Sequence, residues 1–190
     1  MSFYDLVKSN RTCRRFHESE PVSKETLREL IDLARLSPSG ANLQSLKYIT
    51  VTDAAERAKV FATLGWAGYL TDWSGPPEGE RPAAYIVVLA DTEITKNWFC
   101  DQGIAAQTIF LGAREKGLGG CMHGSIKQPE LRTILDIPAR YEILLVLSLG
   151  KPKEEVVIDE LPPDGSVKYY RDAAGVHHVP KRALDDIILR

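Results

Sequence analysis

The segment Asn10-Arg11-Thr12-Cys13-Arg14-Arg15-Phe16 places three arginines and a hydroxyl in one short loop. Guanidinium forks match phosphate oxygens in pairs, and a threonine hydroxyl adds a donor, so Arg11, Thr12 and Arg14 are candidates to hold a phosphate. The plainer reading is a solvated basic loop. Near the other end, His177-His178-Val179-Pro180-Lys181-Arg182 offers Lys181 and Arg182 to an anion, a weak signal taken alone. The stretch Ser37-Pro38-Ser39-Gly40-Ala41-Asn42-Leu43-Gln44 combines many donors and acceptors with little bulk. Its backbone could approach a flat polar ring; an ordinary helix-to-strand turn is the competing reading. In Gly117-Leu118-Gly119-Gly120-Cys121-Met122-His123-Gly124-Ser125 the glycines follow a helix and open a strand. That is the reverse of the dinucleotide fingerprint, which follows a strand and opens a helix. A glycine-rich strand still lets a ligand lie close to backbone N–H groups. His123 is there either as a proton donor or as a structural or solvent-facing histidine.

Other chemistry is absent from the pattern. No Ser/His/Asp triad, nucleophile elbow or Walker loop is visible. Cys13, Cys100 and Cys121 are few and widely spaced, with no Cys-x-x-Cys, which fits a reducing cytoplasmic setting better than a disulfide framework. Cys13 beside arginines is either a lowered-pKa thiol or a structural one. The only close histidines, His177 and His178, are adjacent, a spacing that seldom ligates one metal, so no metal is expected.

The elements that must position these segments are readable. A short helix spans Phe3–Ser9. Ser23 is a plausible N-cap for a helix with Leu27, Leu30, Ile31 and Ala34 at helical spacing, ending near Leu36 because Ser37 precedes Pro38. Leu46–Thr52 reads as a strand, Ala54–Leu64 as a helix and Ala84–Ala90 as a buried strand. Between the last two, Gly65–Pro82 is a long loop or lid holding Trp66, Tyr69 and Trp73, candidate walls of a substrate site as well as candidate core. Trp98–Lys116 is the longest helical stretch, stopped by Gly117. Gly119–His123 and Glu142–Leu149 follow as strands, with a short helix from Pro129 to Leu135 between them. The mixed order favours α+β. Residues 151–190 read as an extended C-terminal arm with little helical period before Ala183–Leu189. Val156, Val157, Ile158, Tyr169, Tyr170, Ile187 and Ile188 need a cover that a partner subunit would supply.

The chain has 190 residues, a length that suits one domain, here 1–190. With 44% apolar and 26% charged residues and a net charge of −2, it has neither the basic surplus of a nucleic-acid binder nor an apolar run long enough to span a bilayer. The N-terminal residues carry no secretory signal pattern, and a cytoplasmic location is expected.

Taken in order, the segments resemble the nitroreductase family of flavoproteins. The family's opening Arg-Arg-Ser-x-Arg-x-Phe stands here as Asn10-Arg11-Thr12-Cys13-Arg14-Arg15-Phe16, with Asn10 replacing the first arginine. Its Pro-Ser-x-x-Asn-x-Gln is met by Pro38, Ser39, Asn42 and Gln44. The helix with Asp101, Gly103, Ala106 and Gln107, followed by Gly117-Leu118-Gly119, is similar to its central helix and next strand, and Pro180-Lys181-Arg182 to its C-terminal basic pair. The resemblance implies a nitroreductase-like α+β fold: a central, mostly antiparallel sheet flanked by helices, in an intertwined homodimer with FMN at the interface. It implies that Arg11, Thr12, Arg14, Lys181 and Arg182 hold the phosphate and ribityl chain. Pro38, Ser39, Gly40, Asn42 and Gln44 would come from the other subunit, and Met122, His123, Gly124 and Ser125 would lie along the flavin near N5. NAD(P)H would be the co-substrate and a nitroaromatic or quinone the acceptor. The alternatives on the same fold are a flavin-binding or redox-sensing protein with little turnover, or another flavin chemistry such as dehalogenation or flavin fragmentation. The stretch from Leu64 to Pro82 matches no pattern of the family.

Overall fold

The computed structural model describes residues 1–190. Four strands form the central sheet: β1 (Leu46–Val51), β2 (Ala84–Asp91), β3 (Gly119–His123) and β4 (Tyr141–Gly150). Their order is β1-β2-β4-β3 and every pairing is antiparallel, so β1 and β3 are the two edges. Strand β2 is buried along its whole length, because its alternate side chains enter two different cores. Ala84, Ile86 and Val88 face one core with α2 (Lys24–Leu36) and α4 (Asp101–Glu115). Tyr85, Val87 and Leu89 face the other, with α3 (Ala54–Phe61) and α5 (Gln128–Ile134). The alternation follows from the two-residue period of a strand.

The helix signals act as the sequence suggests. Helix α1 (Phe3–Ser9) is held by a Ser2/Asp5 capping box, and the Ser23 side chain accepts the Thr26 N–H at the start of α2. Helix α4 passes close to α2 at Gly112, where a Cβ would stand 2.4 Å from Leu33 Cδ1. It ends in Gly117 at φ 74°, with the Leu118 N–H returning to the Ala113 carbonyl. Two helices are shorter than the sequence suggests. Phe99 takes φ 46°, so α4 begins at Asp101 rather than Trp98. Helix α3 stops at Phe61 because Leu64 leaves it to bridge Ile126.

The C-terminal residues carry more regular structure than a pattern with Pro162, Pro163 and Pro180 suggests. They form a second sheet, β5 (Val156–Glu160), β6 (Tyr170–Arg171) and β7 (His177–Lys181), in the order β5-β7-β6. Strand β7 runs parallel to β5 and antiparallel to β6. Pro180 sits in the middle strand, yet β6 reaches only His177 and His178, so no ladder bond is asked of the proline on that side. No helix is long and apolar enough to cross a membrane.

Candidate functional site

The loop after α1 is laid along the edge strand β3. Thr12 bridges Gly120, and the Cys13 N–H donates to the Gly120 carbonyl at 2.8 Å. A side chain at position 120 has no room, since a Cβ would meet Phe110 Cε1 at 2.3 Å and the Ser148 carbonyl oxygen at 2.5 Å. This contact sends Arg11 and Arg14 out on either side of the bridge. Arg11 Nη2 donates to the Val7 carbonyl at 2.9 Å, and burial pushes its guanidinium below the ordinary arginine value. Neither arginine forms an ion pair, and the Nε of each is buried without a partner. Arg15, by contrast, is committed to Glu80, whose carboxyl its hydrogen bond holds at about 2.

Arg14 lines a cleft of about 260 Å³ with Gly65–Gly68 and Cys121–Ser125. The two loops facing each other are tied by the Gly65 N–H donating to the Ser125 carbonyl at 2.8 Å. Above Gly68 and Gly124 the space is open, with no atom within 4 Å of an added Cβ. Met122 is exposed there. His123 is only 3% exposed, and its ring lies between the Gly65 carbonyl (Nδ1, 3.2 Å) and Ser148 Oγ (Nε2, 3.0 Å). Burial lowers its pKa to about 4. A neutral imidazole with both nitrogens engaged is a brace between the loop and β4 rather than a proton donor. Trp66 stands edge-on to His123 and to Trp73, in contact with the second core. Tyr69 and Trp73 meet the C-terminal residues: Tyr69 packs on Tyr169 and Trp73 lies under the Arg171 guanidinium.

The segment after α2 lies elsewhere. Pro38, Ser39 and Gln44 line a second cleft of about 300 Å³ with Tyr48 and Asp101, beside β1. Gly40 forms a 3₁₀ turn with Asn42, its N–H held by Asp101 Oδ1 at 2.9 Å, and the adjacent Ala41 and Asn42 take φ of 49° and 57°, with Gln44 at 52°. This is more than an ordinary turn, because left-handed non-glycine residues in succession are uncommon. Since β1 and β3 are opposite edges, about 14 Å of sheet, three strand spacings, separates the two clefts. Lys181, the last residue of β7, and Arg182 just beyond it are exposed and form no ion pair. One chain thus gathers Arg14, Met122, His123, Gly124, Ser125 and Trp66 around one cleft, and holds Pro38, Ser39 and Gln44 at another.

Several residues that hold the arginine loop have no signal in the sequence. The Glu154 side chain is fully buried, and its carboxylate accepts from the Arg14 and Arg15 backbone N–H groups and from Arg171 Nη2. Tyr169 and His177 reach Arg14 from the C-terminal sheet. These partners lie some 140 residues or more from the loop they serve, beyond the reach of any spacing rule. Cys13 and Cys121 are buried, and burial pushes their thiols up to about 12 and about 11, so the neighbouring arginines do not activate them; Cys100 is exposed.

The model of the Nitroreductase family matches residues 7–67 and 78–151. A protein of Archaeoglobus fulgidus, whose name includes "NADH dehydrogenase/NAD(P)H nitroreductase", is 30% identical over 158 residues, covering 79% of this chain and 85% of its own. The structure of an FMN-dependent nitroreductase from Clostridium difficile superposes with a TM-score of 0.66 at 27% identity, over 80% of this chain and 89% of that one. A Desulfovibrio desulfuricans protein solved in complex with FMN superposes with a TM-score of 0.72 at 22% identity, over 98% and 95% of the two chains. The match takes in the arginine loop, the small-residue loop and all four strands of the central sheet, and on that ground the chain belongs to the nitroreductase family.

Proposed function

We propose that this chain is an FMN-dependent oxidoreductase that passes reducing equivalents from NAD(P)H to an electron-poor acceptor such as a nitroaromatic or a quinone. The observation that carries the reading is the pair Arg11 and Arg14. Both are half-buried, without an acidic partner, and with unpartnered Nε atoms, in a chain of net charge −2. Buried guanidinium groups without counter-ions are costly, and an anionic ligand supplies what they lack.

Arg11 and Thr12, with Lys181 and Arg182, hold the phosphate and ribityl end of FMN. Arg14 would lie at the pyrimidine edge of the isoalloxazine, where its charge would stabilise the negative charge of the reduced ring. The open space above Gly68 and Gly124 admits a flat ring against backbone groups of Gly124 and Ser125, with Met122 beside it. Bound there, FMN supplies the two-electron relay between NAD(P)H and acceptor, in a ping-pong sequence, and no protein nucleophile is needed. His123 keeps the Gly65 loop against the sheet. Trp66 walls the acceptor side, backed by Trp73, while Tyr69 ties the same loop to the C-terminal residues. A cleft of about 260 Å³ is small for an enclosed flavin against the usual range of roughly 300–1,000 Å³, which supports a homodimer in which Pro38, Ser39, Gly40, Asn42 and Gln44 of a second copy complete the site.

The test is an absorbance spectrum of the purified protein before and after anaerobic addition of NADH or NADPH. Flavin bands that bleach on reduction and return with a nitroaromatic or quinone are expected. No bands, even after reconstitution with FMN, would overturn the reading.

A further inference from the structure

The family match omits residues 68–77 and ends at 151, and the two unmatched stretches meet each other beside Arg14. The Tyr69 N–H donates to the Tyr169 hydroxyl at 3.4 Å, and their rings lie 4.9 Å apart. The Arg171 guanidinium lies 4.3 Å over the Trp73 ring. From this junction two side chains continue to Arg14. The Tyr169 ring faces its guanidinium carbon at 4.8 Å, and His177 Nε2 stands 3.3 Å from Nη1.

The chemistry of the second contact is fixed by the donors. Arg14 has N–H groups only, so His177 Nε2 must accept and Nδ1 must carry the hydrogen. His177 is 1% exposed, and burial lowers its pKa to about 4, which keeps the ring neutral. Its Nδ1 finds no partner, so the tautomer is set by Arg14 and not by the surroundings. The carboxylate that could have neutralised Arg14, Glu154, is spent on the Arg14 and Arg15 backbone N–H groups and on Arg171. Arg14 is therefore held by a π face and a neutral lone pair. Each orients the guanidinium, and neither cancels its charge as a carboxylate would.

We propose that Tyr169 and His177 are positioning residues for Arg14, fixing an uncancelled positive charge at the cleft so that bound FMN is held more tightly in its two-electron reduced form than in its oxidised form. The inference rests on the flavin reading above and assigns a role to a C-terminal segment that the family match does not reach.

The reduction potential of the bound FMN, titrated in the holoenzyme against a dye of known potential, tests it. Tyr169→Leu and His177→Leu should each lower the preference for reduced over oxidised FMN roughly tenfold, which for a two-electron couple is about 30 mV. Tyr169→Phe keeps the π face and His177→Gln keeps a neutral acceptor, and both should restore the wild-type value. His177→Glu adds a carboxylate and should lower the preference at least as far as His177→Leu. The pair Gln and Glu at 177 decides the matter where a leucine variant does not fold. FMN bound to every variant at an unchanged potential would overturn the proposal alone. A wild-type protein that takes up no FMN would instead overturn the reading beneath it.

Discussion

Replacing Arg14 by alanine removes the one guanidinium that both lines the cleft and has no acidic partner. A charge-assisted hydrogen bond contributes about 1.5–3 kcal/mol, so FMN affinity should fall by roughly one to two powers of ten, measured by fluorescence titration. Arg14→Lys keeps the charge but not the fork and should recover only part of the loss. An affinity equal to wild type in the alanine variant would remove Arg14 from the site. His123 makes a prediction of a different kind. Its pKa falls from the ordinary 6.5 to about 4, so in that interval the unfolded chain binds a proton that the native chain does not. Stability is therefore full above about pH 6.5 and falls as pH drops toward 4, by up to roughly 3 kcal/mol at 1.36 kcal/mol per unit. His177 shifts in the same direction and adds to the effect. Urea midpoints that stay level between neutral pH and about pH 4 would contradict the buried neutral imidazoles. At this scale the clustering of the arginines was legible in the sequence, as was a structural role as one reading of His123, whereas the partners of His123 were not, since Ser148 and Gly65 reach it only through the folded sheet.

Gly120 shows how an element imposes a residue. A Cβ there would sit against backbone at the Ser148 carbonyl and against the Phe110 ring, and backbone cannot swing aside as a flexible side chain can. Gly120→Ala should destabilise by about 1–3 kcal/mol, read from the urea midpoint, and should loosen the loop that carries Arg11 and Arg14. Glu154 has the same importance for the C-terminal sheet. Removing a fully buried carboxylate that holds two backbone N–H groups and Arg171 costs about 3–5 kcal/mol, so Glu154→Ala should make residues 152–190 the first part of the chain cut by a protease. Equal protection of that segment in variant and wild type would count against this account. Helix caps and the unbroken apolar run of β2 made the central elements legible, because capping and strand period are local signals. The second sheet was not legible. Its middle strand contains Pro180, which argues against a central strand until the shortness of β6 is known, and its main partner, β5, lies about twenty residues earlier.

The whole molecule presents apolar side chains at both ends of the chain: Phe3 and Tyr4 on α1, and Leu184, Ile187, Ile188 and Leu189 after β7 are exposed. Surfaces of this kind mark contacts, and together with two clefts on opposite edges of one sheet they support the homodimer. If the second copy completes the flavin site, FMN occupancy should fall on dilution in step with dimer dissociation, followed by sedimentation velocity and flavin fluorescence on the same samples. Occupancy that stays constant while the dimer separates would place the whole site in one chain.

The unequal exposure of the three thiols gives the molecule a built-in clock. Cys100 at the start of α4 is open to a small alkylating reagent, while Cys13 and Cys121 are sealed on either side of the contact between the arginine loop and β3. Mass spectrometry of pulse-labelled protein would thus record one adduct for the closed chain and three once that contact parts. The lag between first and later adducts would time the opening of the loop that carries Arg11 and Arg14, without any probe having been added to the protein.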